Sequence, residues 1–130
     1  MQFSDLSLPR ENRENIFRHL NSLADSSAFV LGENVQKFEQ DFARYCEVSE
    51  CIGVATGCDA LLWILEGLGI GKGDEVITVA NTFIGSVLPI LRVGATPVLV
   101  DCDPENLQID FSEVAAAVTS RTKAILAVHL

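Results

Sequence analysis

Basic residues are scarce in this chain. Nine Lys and Arg stand against eighteen Asp and Glu, a formal net charge of −9 over 130 residues. Phosphate backbones and anionic lipid surfaces are met by clusters of Lys and Arg. Here the few cations are scattered, so neither a nucleic acid nor a membrane is expected as a partner. No apolar run approaches the ~20 residues that span a bilayer. The opening MQFSDLSLPREN lacks a basic segment followed by an apolar one, so no secretory leader is read there. The four cysteines, Cys46, Cys51, Cys58 and Cys102, form no CxxC pair and have no His-rich segment to complete a metal set. They read as small buried apolar residues of a protein kept reduced, with no metal site. No G-x-S-x-G occurs, and no suitably placed Ser, His and Asp, so a nucleophilic triad has no support. A soluble cytoplasmic protein is the expectation.

What is abundant is apolar: 48% of the residues are hydrophobic, enough for one compact domain with a real core. The organising stretch is CIGVATGCDALLWIL, residues 51–65. Residues 51–55 have strand character, Thr56-Gly57-Cys58-Asp59 makes a sharp turn, and an apolar helical segment follows at once. The first amides of such a helix lack intrahelical partners, and the helix dipole adds roughly half a positive charge there. That combination holds anions. Gly57 lets a ligand approach the backbone and opens dihedral angles closed to other residues. A plain tight turn with Asp59 in a first helical turn accounts for the same residues.

Before this stretch, two amphipathic helices are expected on a larger body. One opens at Pro9 and Arg10 with Ile16, Leu20 and Leu23 on one face. The other starts near Asn34 with Val35, Phe38, Phe42 and Tyr45 at helical spacing. Between them Phe29-Val30-Leu31-Gly32 reads as a short pinned loop. After residue 51 strand and helix alternate. The strand-like runs CIGVA, EVITVA, PVLV and KAILAV are continuously apolar, as in parallel strands buried on both faces. Helical segments at 59–68, 82–93 and 111–118 supply the crossovers. Pro89 should kink the second or shift its start. Asp110 with Glu113 has capping-box spacing. Gly69-Ile70-Gly71-Lys72-Gly73-Asp74 resembles a phosphate loop, but it lies after a helix and before a strand and lacks the Gly-Lys-Ser/Thr ending. A helix C-cap at Gly69 with a tight turn fits it better.

In an open parallel sheet chemistry gathers at the carboxyl ends of the strands. Those ends carry Thr56-Gly57-Cys58-Asp59, Asn81-Thr82-Phe83, Asp101-Cys102-Asp103 and His129-Leu130. Each also has a plain structural reading: Phe83 as core, Asp101 and Asp103 as turn residues before Pro104, His129 as a structural imidazole.

The order of FVLGENVQKFEQDFARYC, GVATGCDALLWILEGLGIGKGDEVI, ANTFIGSVLPILRVGATPVLVDCDPENLQID and TSRTKAILAVHL resembles the DegT/DnrJ-type family of pyridoxal-phosphate-dependent sugar aminotransferases. The resemblance covers nearly the whole chain after the first helix. It implies the N-terminal part of the large domain of an aspartate-aminotransferase-like, fold type I enzyme, an α/β fold with a mainly parallel sheet and flanking helices. Residues 1–50 would be a helical segment packing on that domain, and 51–130 an incomplete part of the domain itself. The implied reaction moves an amino group from an amino acid, usually glutamate, to a keto sugar carried on a nucleotide, in a homodimer. By resemblance Gly57, Cys58 and Asp59 lie at the phosphate of pyridoxal 5'-phosphate and Phe83 lies against its pyridine ring. Cys58 departs from the Thr of many members. The family's Schiff-base lysine, and the acid that pairs with the pyridine nitrogen, come well after the strand ending at Val128. The lysines present are Lys37, Lys72 and Lys123, none in that position, so no catalytic residue is assigned. The chain also stops on an apolar strand with no following helix. It is therefore expected to be an N-terminal fragment, inactive by itself and prone to self-association. Two rival readings remain: a sugar dehydratase of the same family, and a non-catalytic phosphate- or nucleotide-binding or regulatory protein.

Overall fold

The computed structural model describes residues 7–27 and 29–129. The first six residues of the opening segment and Leu130 of the expected rim lie outside them. The order is α1 (Arg10–Ser26), α2 (Glu33–Tyr45), α3 (Gly57–Gly67), β1 (Glu75–Val79), a 3-10 turn (Ile84–Ser86), α4 (Leu88–Arg92), β2 (Thr96–Val100), α5 (Phe111–Ala117) and β3 (Thr122–Leu126). The chain falls into two compact units, Met1–Gly53 and Val54–Leu130.

The first unit holds α1 and α2. Pro9 stands just before α1, where a missing amide hydrogen costs no intrahelical bond. α1 buries no residue, and α2 buries only Ala43. The expected apolar spacing on α2 is visible as a ladder of rings, with Phe38 to Phe42 centroids 5.6 Å apart and Phe42 to Tyr45 6.2 Å apart. The Gly53 amide donates to Glu39 Oε1 at 2.7 Å. Phe29, Val30 and Leu31 are exposed rather than pinned. A turn at the end of α1, where Ser27 is left-handed and Phe29 N–H donates to the Ser27 carbonyl, directs them outward.

The second unit is an α/β layer structure around a parallel sheet of order β2-β1-β3. All five residues of β1 are buried, because it is the central strand and both its faces are covered. Val76 packs with Leu65, Ile70, Ile90 and Ala95 beneath α3 and α4. Ile77 and Val79 pack on the other face with Val100, Ile109 and Val114 beneath α5. The continuous apolar run EVITV follows from that double cover. Thr78, its one hydroxyl residue, donates to the Leu126 carbonyl at 2.9 Å and so leaves no unmet polar group in the core.

Three expectations change. Residues 51–55 form no strand. A strand exists only against a neighbour, and among the described residues none pairs with this run. The helix expected at 82–93 is broken into the 3-10 turn and α4, with Pro89 placed in the first turn of α4, where its ring is tolerated. Asp110 caps α5 by accepting from the amides of Ser112 at 2.7 Å and Glu113 at 3.4 Å. The reciprocal half of a capping box is replaced, because the Asp110 amide donates to the Asp101 carbonyl instead. The glycine-rich decoy is a C-cap: Gly69 has φ 70° and donates to the Glu66 carbonyl, and Gly71 N–H meets Asp74 Oδ2 at 3.0 Å.

Glu75 opens the central strand as a buried carboxylate, accepting from Thr119 Oγ1 at 2.6 Å and paired with the Arg121 guanidinium. The Thr119 hydroxyl, helped by Arg121 and opposed by burial, holds its pKa below the usual carboxylate value. A lowered folded pKa adds stability that is present above the unfolded pKa and lost as pH falls through the folded one. Thr119→Val or Arg121→Met is therefore expected to move the acid-unfolding midpoint, followed by circular dichroism, to higher pH. Ile77→Ala empties a fully buried site on the central strand and is expected to cost about 2–5 kcal/mol in urea titrations.

Candidate functional site

The start of α3 is shaped by Thr56. Its backbone is extended, with φ −148° and ψ 162°, and its Oγ1 accepts from the Asp59 amide at 3.1 Å. The same hydroxyl donates to Asp59 Oδ2 at 2.8 Å, and the Thr56 carbonyl receives the Ala60 amide. That accounts for the third and fourth amides of the helix. The first two, on Gly57 and Cys58, meet no acceptor among the described residues. They retain the partial positive charge of a helix start whose cap satisfies only the third and fourth amides.

Gly57 is helical and not at positive φ, so unusual dihedral freedom is not its contribution. A Cβ there would meet no heavy atom within 4 Å. Gly57 leaves bare backbone facing open space.

Opposite this start lies the segment after β1. Phe83 has extended geometry, φ −68° and ψ 142°, and precedes the 3-10 turn. It is 78% exposed, which rules out the core reading. Its ring lies over Gly85, with Cδ1 and Cε1 2.8 Å from where a Cβ would stand. Thr56, Gly57, Cys58 and Leu61 on one wall, and Phe83, Gly85 and Ser86 on the other, enclose an open cavity of about 480 Å³. Among the described residues no acidic side chain lines it, although the chain as a whole is strongly acidic.

Of the residues expected at a cofactor, Gly57, Cys58 and Phe83 line this cavity and Asp59 does not. The Asp59 amide is used in the cap, and its carboxylate sits between Thr56 Oγ1 and Arg92, whose Nη1 lies 3.8 Å from Oδ1. The other rim residues go elsewhere. Asp101 Oδ1 accepts from the Cys102 amide, and Asp103 Oδ1 from those of Glu105 and Asn106, as turn carboxylates do. His129 lines a separate apolar cavity with Phe111, Ile125 and Val128. Among the described residues no group of three or more His, Cys, Asp or Glu is arranged to hold a metal ion. All four cysteines are free thiols and none is fully buried, contrary to the expectation of core residues. Leu61, Gly85 and Ser86 are lining residues that pattern reading does not supply, and Ser86 is the polar one. The signal was a pair of hydroxyls four apart, Thr82 and Ser86, hidden by the assumption of a continuous helix.

The model of the DegT/DnrJ/EryC1/StrS aminotransferase family matches residues 10–130. The chain belongs to that family. It is 47% identical over 118 residues to the dTDP-3-amino-3,6-dideoxy-alpha-D-galactopyranose transaminase of Aneurinibacillus thermoaerophilus, covering 91% of this chain and 32% of that relative. Crystallographic DesV of S. venezuelae, in complex with a ketimine intermediate, superposes with a TM-score of 0.87 at 42% identity, covering 92% of this chain and 32% of that one. The ntda protein of Bacillus subtilis with bound cofactor PMP superposes with a TM-score of 0.89 at 30% identity, covering 100% of this chain and 32% of that one. The chain thus spans about a third of the length of these relatives, and its α/β fold is theirs. Aminotransferases of this family depend on pyridoxal phosphate.

The residues present fit such a group. A phosphate ester needs donors without carboxylates beside them, and the Gly57 and Cys58 amides supply two. A flat heterocycle needs an exposed face, and Phe83 offers a ring across the same cavity. Cys58 contributes its amide whatever its side chain, so the absence of a Thr hydroxyl removes one donor and not the cradle. Thr56→Ala removes the cap and is expected to cost about 1 kcal/mol of stability in denaturant titrations; Thr56→Ser, which keeps the hydroxyl, should stay near the parent.

Proposed function

We propose that this chain supplies the phosphate cradle and the ring-facing wall of a pyridoxal-phosphate site in a sugar aminotransferase. The substrates are a nucleotide-linked keto sugar and an amino-acid donor, glutamate by the family's usual choice. The observation that carries the reading is the convergence of two unpartnered helix-start amides and an exposed Phe83 on one cavity without acidic lining. The relatives' transaminase names supply the reaction class.

When bound, the cofactor supplies the electron sink that lets an amino group leave one carbon and join another. The chain's own residues bind and orient. The Gly57 and Cys58 amides hold the phosphate end by charge-assisted hydrogen bonds. Thr56 keeps those amides aimed into the cavity by taking up the third. Phe83 covers one face of the heterocycle and keeps water from that side. What the described residues do not provide is an amine at the site. Lys37 lies on α2, Lys72 in the turn before β1 and Lys123 on β3, and none lines the cavity. A nucleophilic lysine is needed at the cofactor aldehyde, so the chain alone binds without transaminating. A complete site then draws on further polypeptide, with the family's homodimer as its expected setting.

The test is a calorimetric titration of the 130-residue chain with pyridoxamine 5'-phosphate, whose amine cannot form imines with surface lysines. The chain is expected to bind it more tightly than pyridoxamine, which lacks the phosphate. Phe83→Ala should weaken that binding roughly two- to tenfold, from a ring contact of about 0.5–1.5 kcal/mol. Equal affinity for the two ligands would overturn the cradle. A borohydride-fixed pyridoxal phosphate adduct on one lysine, at one per chain, would contradict the absence of a site amine.

A further inference from the structure

Phe83 is mostly exposed, so close packing does not fix the direction of its ring. The backbone on either side of it does. Thr82 Oγ1 and Ser86 Oγ lie 2.8 Å apart, closing a hydroxyl bridge over the residues between them. Inside the bridge the Ser86 amide donates to the Phe83 carbonyl at 2.9 Å, and just before it the Thr82 amide donates to the Ala80 carbonyl at 3.0 Å. Both hydroxyl residues are half-buried, which shields the bridge from competing water. The turn it closes is a single stretch of 3-10 helix, a conformation with poor hydrogen-bond geometry and little stability of its own. Ser86 also lines the cavity that Phe83 faces.

We propose that the Thr82–Ser86 hydroxyl bridge is the positioning device that holds the Phe83 ring at the cavity. Its purpose rests on the cofactor-site reading above, but its geometry is testable with no ligand present. The ring edge lies against Gly85, so a proton nuclear Overhauser effect between the Phe83 ring and the Gly85 α-protons reports the held position. One hydrogen bond of about 0.5–1.5 kcal/mol corresponds to a factor of roughly two to ten in the closed population.

In the ligand-free 130-residue chain, Ser86→Ala and Thr82→Val are each expected to weaken that effect by roughly twofold or more. Ser86→Thr, which keeps a hydroxyl, should retain it, and the methyl resonances of Ile77 and Val79 should stay in place in every variant. An unchanged ring-to-Gly85 contact in both hydroxyl-free variants overturns the proposal. Should one variant lose the sheet resonances, the other together with the Ser86→Thr rescue decides. A second arm measures pyridoxamine 5'-phosphate affinity. Ser86→Ala should weaken it by a similar factor to Phe83→Ala, and the double variant should be no worse than Phe83→Ala alone. Affinity for inorganic phosphate should stay the same throughout. Failure of the parent to bind pyridoxamine 5'-phosphate, with the ring contact intact and hydroxyl-dependent, would sink the cofactor reading and leave the positioning device standing.

Discussion

The amides of Gly57 and Cys58 are the constraint on which the site depends. An α-helix always begins with donors it cannot satisfy itself, and a protein must cap them, bury them against acceptors or leave them for solvent or a ligand. Here the Thr56 hydroxyl takes the third amide and its carbonyl the fourth, while Gly57 and Cys58, which carry the first two, line a cavity with no carboxylate among its described lining residues. In a chain of net charge −9 that local lack of acid is what the proposed anion site requires. The acidic side chain of the same helix turn, Asp59, is engaged by Thr56 and lies beside Arg92.

The sheet brings the second half of the site into range. β1 is buried on both faces by two separate apolar clusters, with all five of its residues buried. The chain leaving its carboxyl end reaches Phe83 within four residues. α3 and α4 pack on the same face of β1 through Leu65 and Ile90, so the start of α3 and the turn before α4 are held by one core. The cavity is the gap between those two anchored segments. It belongs to the same layer geometry that places ligands at strand ends in open α/β sheets generally.

Much of this was legible from residue order, and the exceptions have physical causes. EVITV reads as a buried strand because double-sided burial leaves an unbroken apolar run; PVLV and KAIL form the parallel strands expected of them but flank β1 with Leu99 and Ile125 exposed, so burial on both faces holds for the central strand alone. CIGVA has the same composition and is not a strand, since composition reports a preference for burial and not the presence of a partner. Thr56, three residues before Asp59, stood at capping spacing, but attention to Gly57 placed the helix start too late. Ser86 escaped because Thr82 to Val93 reads as one helix until Pro89 is allowed to begin a new one. Asp59, which family resemblance puts at the phosphate, has its amide and carboxylate engaged by Thr56, a local cap that resemblance does not report.

The central claim is that the Gly57 and Cys58 amides receive a phosphate ester. Proton–nitrogen correlation spectra of the uniformly labelled chain, recorded during parallel titrations with pyridoxamine 5'-phosphate and with pyridoxamine, test it most directly. The account predicts saturable downfield movement of those two amide protons with the phosphorylated ligand only, while the Asp59 amide, already engaged by Thr56, moves little. Equal responses to both ligands, or shifts that bypass Gly57 and Cys58, would contradict it.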